Sequence, residues 1–412
     1  MAADLPESGS PWSHAGDTFR IPHFFTLWSS NLIQFVSAFV YTVLLGWLVT
    51  SLTESRTVVG LVGFVQGGVM LLASPLAGVA VDRLSKRRLL VIGRLGLAGV
   101  VAAIAVLVAG GRIEIWHILV ASVVGGLLTA LTQPATQTYV YDVVRRRHLQ
   151  SAVSLNAGAT SVAHTAGPLL GGALVGAIGF VGAYVSAAAG LVLSALLLLS
   201  IPVMGRADEP ASPAHWASDL RQGLAYVWTH PPVRLVLIAC SLSVFNGAVA
   251  AMRPIFARHV LGVDAVGYGA MAGAVGLGGL VTAVVMAGLP SVRRPGPWIV
   301  ASMLAFALLI VLYAFAFSFE YILVIELLSG VAGQIWMVST FSGLQMAVPG
   351  DMRGRVVSLV FTVVMLAPVG GLFVGLLADG IGDRWALGIF GIIPAAVLAG
   401  LLVGGYRTLR RL

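Results

Sequence analysis

Glu326 is the residue of this chain best placed to carry a proton. It stands in the apolar run 321–347, about 9 Å from one end by the rise of a helix. An ionisable group inside hydrocarbon is costly and by default functional. The alternative is a shallow, hydrated glutamate bonded to a neighbour. Other ionisable residues interrupt or end apolar runs. Arg94 is expected to snorkel or to pair with an acid, and Arg253, near a helix end, to snorkel. His164 could titrate, but reads more simply as a hydrogen-bonded packing residue. Asp142 should pair locally with Arg145 and Arg146, and Asp379 should be solvated at a helix end. The densest charge lies in "GVAVDRLSKRRLL" (78–90), where Asp82, Arg83, Lys86, Arg87 and Arg88 fall within seven positions. Other chemistries lack their residues. One cysteine, Cys240, excludes an intramolecular disulfide. No Cys/His spacing suits a metal, and no G-x-x-x-x-G-K-[ST] loop is present. The His, Asp or Ser cluster expected of a membrane enzyme is missing too, and no cofactor is implied.

The elements that must position these residues are membrane helices. The chain is 58% hydrophobic and 10% charged, with 50 glycines and a mean hydropathy of +0.97. Twelve apolar segments are long enough to span a bilayer: 24–48, 58–81, 89–110, 115–140, 154–178, 180–204, 235–257, 267–289, 298–318, 321–347, 356–378 and 385–406. Residues 1–20 lack the basic flank and apolar core of a signal and read as a cytosolic tail. The polar, Pro-flanked stretch 205–234 divides the chain into a 21–204 bundle and a 235–406 bundle, followed by a short tail, 407–412. Within that linker Trp216, Leu220, Leu224 and Val227 recur at helical spacing, which predicts a helix lying on the membrane surface.

Lysine and arginine set the orientation. With the N-terminus inside, 18 of the 24 basic residues fall in cytoplasmic segments and four (Arg56, Arg112, Arg258, Arg384) outside. Both termini are therefore expected in the cytoplasm. The same split accounts for the pI near 10.1 without nucleic-acid binding. Nearly all the positive charge is arginine, which hints at a GC-rich bacterial genome; the expected location is the bacterial inner membrane.

The charged stretch resembles the loop motif of the major facilitator superfamily, roughly G-x-x-x-D-R-x-G-R-R between the second and third helices. Gly78, Asp82, Arg83 and Arg87 fall in register, with Ser85 and Lys86 as departures. The resemblance covers the whole chain. It implies an all-α membrane protein of twelve helices in two pseudo-symmetric six-helix bundles, which transports by alternating access. It also implies that Asp82 bridges to Arg353 or Arg355 at the start of the eleventh helix, a latch closing the cytoplasmic side. On physical grounds alone the basic residues would anchor the loop to anionic headgroups. "ALTQPATQTYV" (130–140), "HLQSAVSLN" (148–156) and "AGPLLGG" (166–172) resemble the drug-efflux branch that includes macrolide and enterobactin exporters. Gly167, Pro168, Gly171 and Gly172 match an antiporter-associated element, although Ala163 replaces an expected glycine. Close helix packing is their simpler role.

In that fold the first, fourth, seventh and tenth helices line a central cavity. The first carries Ser30, Gln34, Ser37 and Tyr41 in one stripe, with Asn31 beside it. The fourth carries Thr129, Thr132, Gln133, Thr136 and Gln137 on one face, too polar for lipid. Ser241, Ser243 and Asn246 on the seventh, and Gln334, Trp336, Ser329 and Ser339 on the tenth, complete the candidate wall; interhelical hydrogen bonding is the alternative use. Such a cavity is uncharged and aromatic (Trp28, Tyr41, Trp336), which suits a small amphipathic organic molecule and not a sugar phosphate. The expected function is proton-coupled export of a drug- or siderophore-like substrate by a monomer. An importer or facilitator of an uncharged solute, or a non-transporting receptor, is the alternative.

Overall fold

The computed structural model describes residues 15–144, 148–205, 216–288 and 295–409, without the side chains of residues 15, 16, 79, 82, 216–220, 351 and 406–409. Among the described residues all regular structure is helical. The helices of the N-half are α1 Ala15–Phe19, α2 Phe24–Leu52, α3 Arg56–Arg83, α4 Lys86–Ala109, α5 Ile115–Val143 and α6 Leu149–Leu199. The linker helix is α7 Trp216–Thr229. The C-half holds α8 Pro231–Ser241, α9 Val244–Ile255, α10 Ala265–Gly288, α11 Pro295–Ala314, α12 Phe319–Ala347, α13 Gly350–Val364, α14 Ala367–Ile381 and α15 Asp383–Leu409.

Among the described residues eleven helical stretches are long and apolar enough to cross a membrane. One of them, α6, has 51 residues and would reach about 77 Å if straight, over twice the hydrocarbon thickness. It reverses at Gly179, whose φ of 71° and ψ of 178° lie in a region open essentially to glycine. Contacts with α2 confirm the hairpin: Asn156 and Ser194 meet neighbouring residues, Asn31 and Ser30. The count among the described residues is thus twelve spans, as the hydropathy pattern predicts. The seventh is built from α8, α9 and a π turn, Phe256–Val260, and the eleventh from α13 and α14. The breaks in these two spans, at Leu242–Ser243 and Leu366, lie together, because Gly247 packs on the Ala367 carbonyl and Gly370 on the Val244 carbonyl.

Short loops are closed by side-chain caps. Ser55, Ser85 and Ser318 each accept from a backbone N–H in the first turn of the following helix. The Ser85 hydroxyl also donates to the Met204 carbonyl at 2.9 Å. The departure from glycine at this motif position therefore supplies a helix cap and a tie to the end of the sixth span.

An even number of spans puts both termini on one side, here called the terminal face. At the opposite, far face a single apolar core runs through both halves, from Leu44 and Tyr184 to Met252, Ile322 and Val374. Toward the terminal face the core divides. One part, around Leu27, Leu90, Tyr139 and Leu198, belongs to the N-half. Two others, around Val236, Ile299 and Val356 and around Met303 and Leu398, belong to the C-half. The halves are joined at the far face and divided at the terminal face. The terminal third of α3 reflects this: Leu72 and Leu76 are 80% and 74% exposed.

Helix α7 docks on the C-half and is not simply laid on the membrane. Val227 is buried against Val233 and Val356, and Gly223 packs on the Arg355 carbonyl. Leu224 stays exposed, and the Trp216 and Leu220 side chains lie outside the described residues.

Candidate functional site

The far-face closure is built from small residues along two helix pairs. Gly60 of α3 packs on the Gly371 carbonyl of α14. A methyl group on Gly172 of α6 would sit 2.6 Å from the Ala265 carbonyl of α10, and one on Gly269 would sit 2.6 Å from the Pro168 carbonyl. Gly167 and Gly171 face Phe39 and Val40 of α2. The glycine-proline element of the fifth span therefore lets its helix touch the first span on one side and the other half on the other.

An ionic cluster covers this seam. The Asp379 carboxylate, at the end of the eleventh span, accepts from Ser55 Oγ at 2.9 Å, Arg56 N at 2.9 Å and Thr57 N at 3.0 Å. It caps the N-terminus of α3 from the other half, where backbone N–H groups have no helical partner. Arg56 also donates from Nε to Asp383 Oδ1 at 2.9 Å and from Nη2 to Oδ2 at 3.3 Å. Asp379 is thus exposed, as its place at a helix end suggests, and also serves as a cross-half cap.

Glu326 is fully buried, the only carboxylate among the described residues to be so. Arg253 of α9 donates to it from Nε at 2.5 Å and from Nη2 at 3.1 Å. Arg253 pairs where snorkelling was expected, because a two-pronged carboxylate contact inside the bundle outweighs a reach to the interface. The Tyr313 hydroxyl is buried beside the pair without a hydrogen bond of good geometry, and Tyr268 stands close to both charges.

Arg94 is the buried cation of the N-half, 3% exposed. It neither snorkels nor meets an acid. Nη1 donates to the Ser30 hydroxyl, the Ser30 carbonyl at 3.3 Å and the Ser194 carbonyl at 3.3 Å, and Nη2 to Asn31 Oδ1 at 2.6 Å. Asn31 in turn donates to Asn156 Oδ1 at 2.8 Å. This network ties the first, third, fifth and sixth spans together.

It also corrects the expected cavity wall. Asn31 and Tyr41 are buried inside the N-half, Tyr41 against Tyr184 with ring centroids 6.4 Å apart. Ser30 and Asn31 are thus bound within their own bundle, while Gln34 stays half-buried. On the fourth span Thr129, Thr132 and Thr136 return their hydroxyls to the carbonyls of Gly125, Leu128 and Thr132, while Gln133 and Gln137 remain exposed one turn apart. Gln34, Asn246 and Gln334 are half-buried. The Trp336 indole N–H and the Thr340 hydroxyl are buried beside the Cys240 thiol, and the Ser243 and Ser339 hydroxyls are buried without a hydrogen bond.

The basic loop divides its labour. Lys86 Nζ pairs with Asp142 Oδ2 at 2.8 Å, and Arg87 donates to the Ile201 carbonyl. Both residues pin the N-half together and are committed there instead of to headgroups. Arg83 and Arg88 are exposed. The Asp82 side chain and Arg145–Arg147 lie outside the described residues. Near Arg353 and Arg355, Gly354 meets open space, as does Gly78 on the facing span. Arg353 donates to the Val348 carbonyl of its own half at 3.4 Å. His164 packs on Phe39, with centroids 4.0 Å apart.

Three participants escape sequence reasoning: Tyr268, Asp383 and Arg253 as a partner of Glu326. Two acids four residues apart at a far-face helix junction, Asp379 and Asp383, were the available signal for the seam.

Comparison with known proteins agrees with this architecture. The family model described as Transmembrane secretion effector, of the major facilitator superfamily, matches residues 11–411. The enterobactin exporter EntS of Shigella boydii serotype 4 is 25% identical over 337 residues, covering 81% of this chain and 80% of that protein. The same exporter from Escherichia coli strain HS is also 25% identical over 337 residues, with the same coverage. Among solved structures, a bacterial homologue of the human lysosomal transporter Spinster, inward-facing and occupied, superposes with a TM-score of 0.72 at 14% identity, over 95% of this chain and 97% of that one. A peptide transporter bound to alafosfalin gives 0.76 at 13% identity, over 98% and 99%. The chain belongs to the Transmembrane secretion effector family of the major facilitator superfamily and is a multi-pass membrane transporter.

Proposed function

We propose that this transporter exports a small amphipathic organic molecule of siderophore or drug type across the bacterial inner membrane, in exchange for protons. Its termini lie in the cytoplasm, so the described state is open inward. Glu326 carries the reading: it is the one fully buried carboxylate among the described residues and lies in the region where the halves are joined. The likeness to an enterobactin exporter supports outward transport of a bulky organic substrate, and the basic-residue split supports the orientation.

Alternating access follows from the two ends of one helix pair. At the far face α3 and α14 are held by Asp379, Arg56 and Asp383. At the terminal face Asp82 would meet Arg353 or Arg355 in the alternate state. The two latches lie at opposite ends of the same pair of helices, so a rocking of the halves that closes one opens the other. Substrate enters from the cytoplasm between Gln34, Gln133, Gln137, Asn246, Gln334 and Trp336.

The test is uptake into inside-out membrane vesicles of enterobactin and a panel of lipophilic drugs, with and without a pH gradient. Gradient-driven uptake that Asp82→Asn and Glu326→Gln abolish is the expected result. Uptake that survives collapse of the gradient refutes the coupling.

A further inference from the structure

A tryptophan of the N-half stands over the proton site of the C-half. The Trp47 ring stacks on Tyr268, with centroids 5.8 Å apart and planes 26° apart. The Arg258 guanidinium lies 5.9 Å from the centroid of the same ring. Behind Tyr268 the backbone is close: a methyl group on Gly46 would sit 2.6 Å from its hydroxyl. Tyr268 is 5% exposed and lies in one buried core with Met252 and Ile325, the chain neighbours of Arg253 and Glu326. Arg258 belongs to the π turn Phe256–Val260 that ends the seventh span, three residues beyond the last α-helical position; such turns recur at functional sites.

The groups around Glu326 come from three C-half elements: Arg253 from α9, Tyr268 from α10 and Tyr313 from α11. None of these needs to leave when the halves part. Trp47 does, together with the Gly46 backbone beside it, because both belong to the other half. The contacts of Trp47 with Tyr268 and Arg258 cannot outlast an opening of the far face.

We propose that Trp47, held by Tyr268 and Arg258, is the seal that keeps Glu326 out of proton exchange with the far face until the halves separate there. This rests on the reading of Glu326 as the proton carrier. When the seal opens, a proton from far-face water adds to a Glu326 carboxylate oxygen. The ion pair ends, and Arg253 keeps its charge and is hydrated through the same opening. On return, the proton leaves to water on the cytoplasmic side, and the pair with Arg253 re-forms. The seal makes proton entry conditional on the conformational change, and a transporter lacking it would leak protons without moving substrate.

The experiment is carbodiimide labelling of Glu326 in the full chain in nanodiscs, followed by mass spectrometry, with Glu326→Gln as the zero. Trp47→Ala should raise the labelling rate about tenfold, the factor expected for loss of one ring stack plus one cation–π contact. Trp47→Phe, which keeps a ring, should stay near wild type. Arg258→Gln leaves both rings in place and should raise the rate about threefold. It decides the matter should Trp47→Ala not fold. Proteoliposomes of the faster-labelling variants should also pass protons without substrate. Wild-type labelling rates in folded Trp47→Ala or Arg258→Gln overturn the seal. Faster labelling in these variants, combined with gradient-driven uptake intact in Glu326→Gln, upholds the seal and refutes Glu326 as carrier.

Discussion

Replacing Asp379 by alanine should tip the transporter toward its far-face-open state. The carboxylate accepts three hydrogen bonds at 2.9–3.0 Å, and all three donors, Ser55, Arg56 and Thr57, belong to the other half. Two of them are backbone N–H groups in the first turn of α3, so Asp379 acts as a helix cap supplied across the seam. Loss of such a cap costs about 1–2 kcal/mol. Arg56 keeps Asp383 as a partner, so the ion pair is not lost with it. The cap is made only while the far face is closed, so the whole cost falls on that state. The closed-to-open ratio should therefore drop about 5- to 30-fold. The chain has one cysteine, Cys240, and it is buried. A Cys240→Ala background accepts spin labels at Arg112 and Phe317, exposed positions in far-face loops of opposite halves. Pulsed dipolar spectroscopy then reads the two distance populations directly. A distribution unchanged by Asp379→Ala in folded protein would refute the cap as a latch.

Other perturbations have equally definite outcomes. Arg94→Leu removes four hydrogen bonds and leaves the buried Asn31 Oδ1 without its donor, while the Ser194 carbonyl keeps the Ser30 hydroxyl; it should cost about 1–3 kcal/mol and lower the thermal midpoint, as differential scanning fluorimetry in detergent would report. Glu326→Gln strands Arg253 and should destabilise by about 3–5 kcal/mol, whereas the neutral pair Arg253→Gln with Glu326→Gln should recover most of the stability and none of the gradient-driven uptake. Gly179→Ala forces a side chain into a backbone region at φ 71° and ψ 178°; a cost of about 1–3 kcal/mol at the hairpin between the fifth and sixth spans should appear as reduced yield of folded protein.

The spans were legible because hydrocarbon asks one thing of a helix, and twenty apolar residues answer it locally. The reversal at 179 was legible for the same reason. Ion pairing was not. Arg253 and Glu326 are 73 residues apart, and Arg56 and Asp383 are 327 apart; nothing in the spacing says which charge turns toward which. The polar stripe of the first span shows a subtler limit. Its periodicity correctly kept Ser30, Asn31 and Tyr41 away from lipid, but periodicity does not distinguish a cavity from a neighbouring helix. The deciding feature was Arg94, whose donors need acceptors and find them at Ser30 and Asn31. Likewise the serine that replaces glycine in the charged loop reads as a blemish in the motif until its hydroxyl is seen capping α4 and holding Met204.

Substrate movement and proton movement measured together bear most directly on the proposed exchange. In inside-out proteoliposomes with a pH dye in the lumen and enterobactin added outside, the account predicts lumenal alkalinisation that keeps pace with substrate uptake, both lost in Glu326→Gln. Uptake with no change in lumenal pH would contradict it.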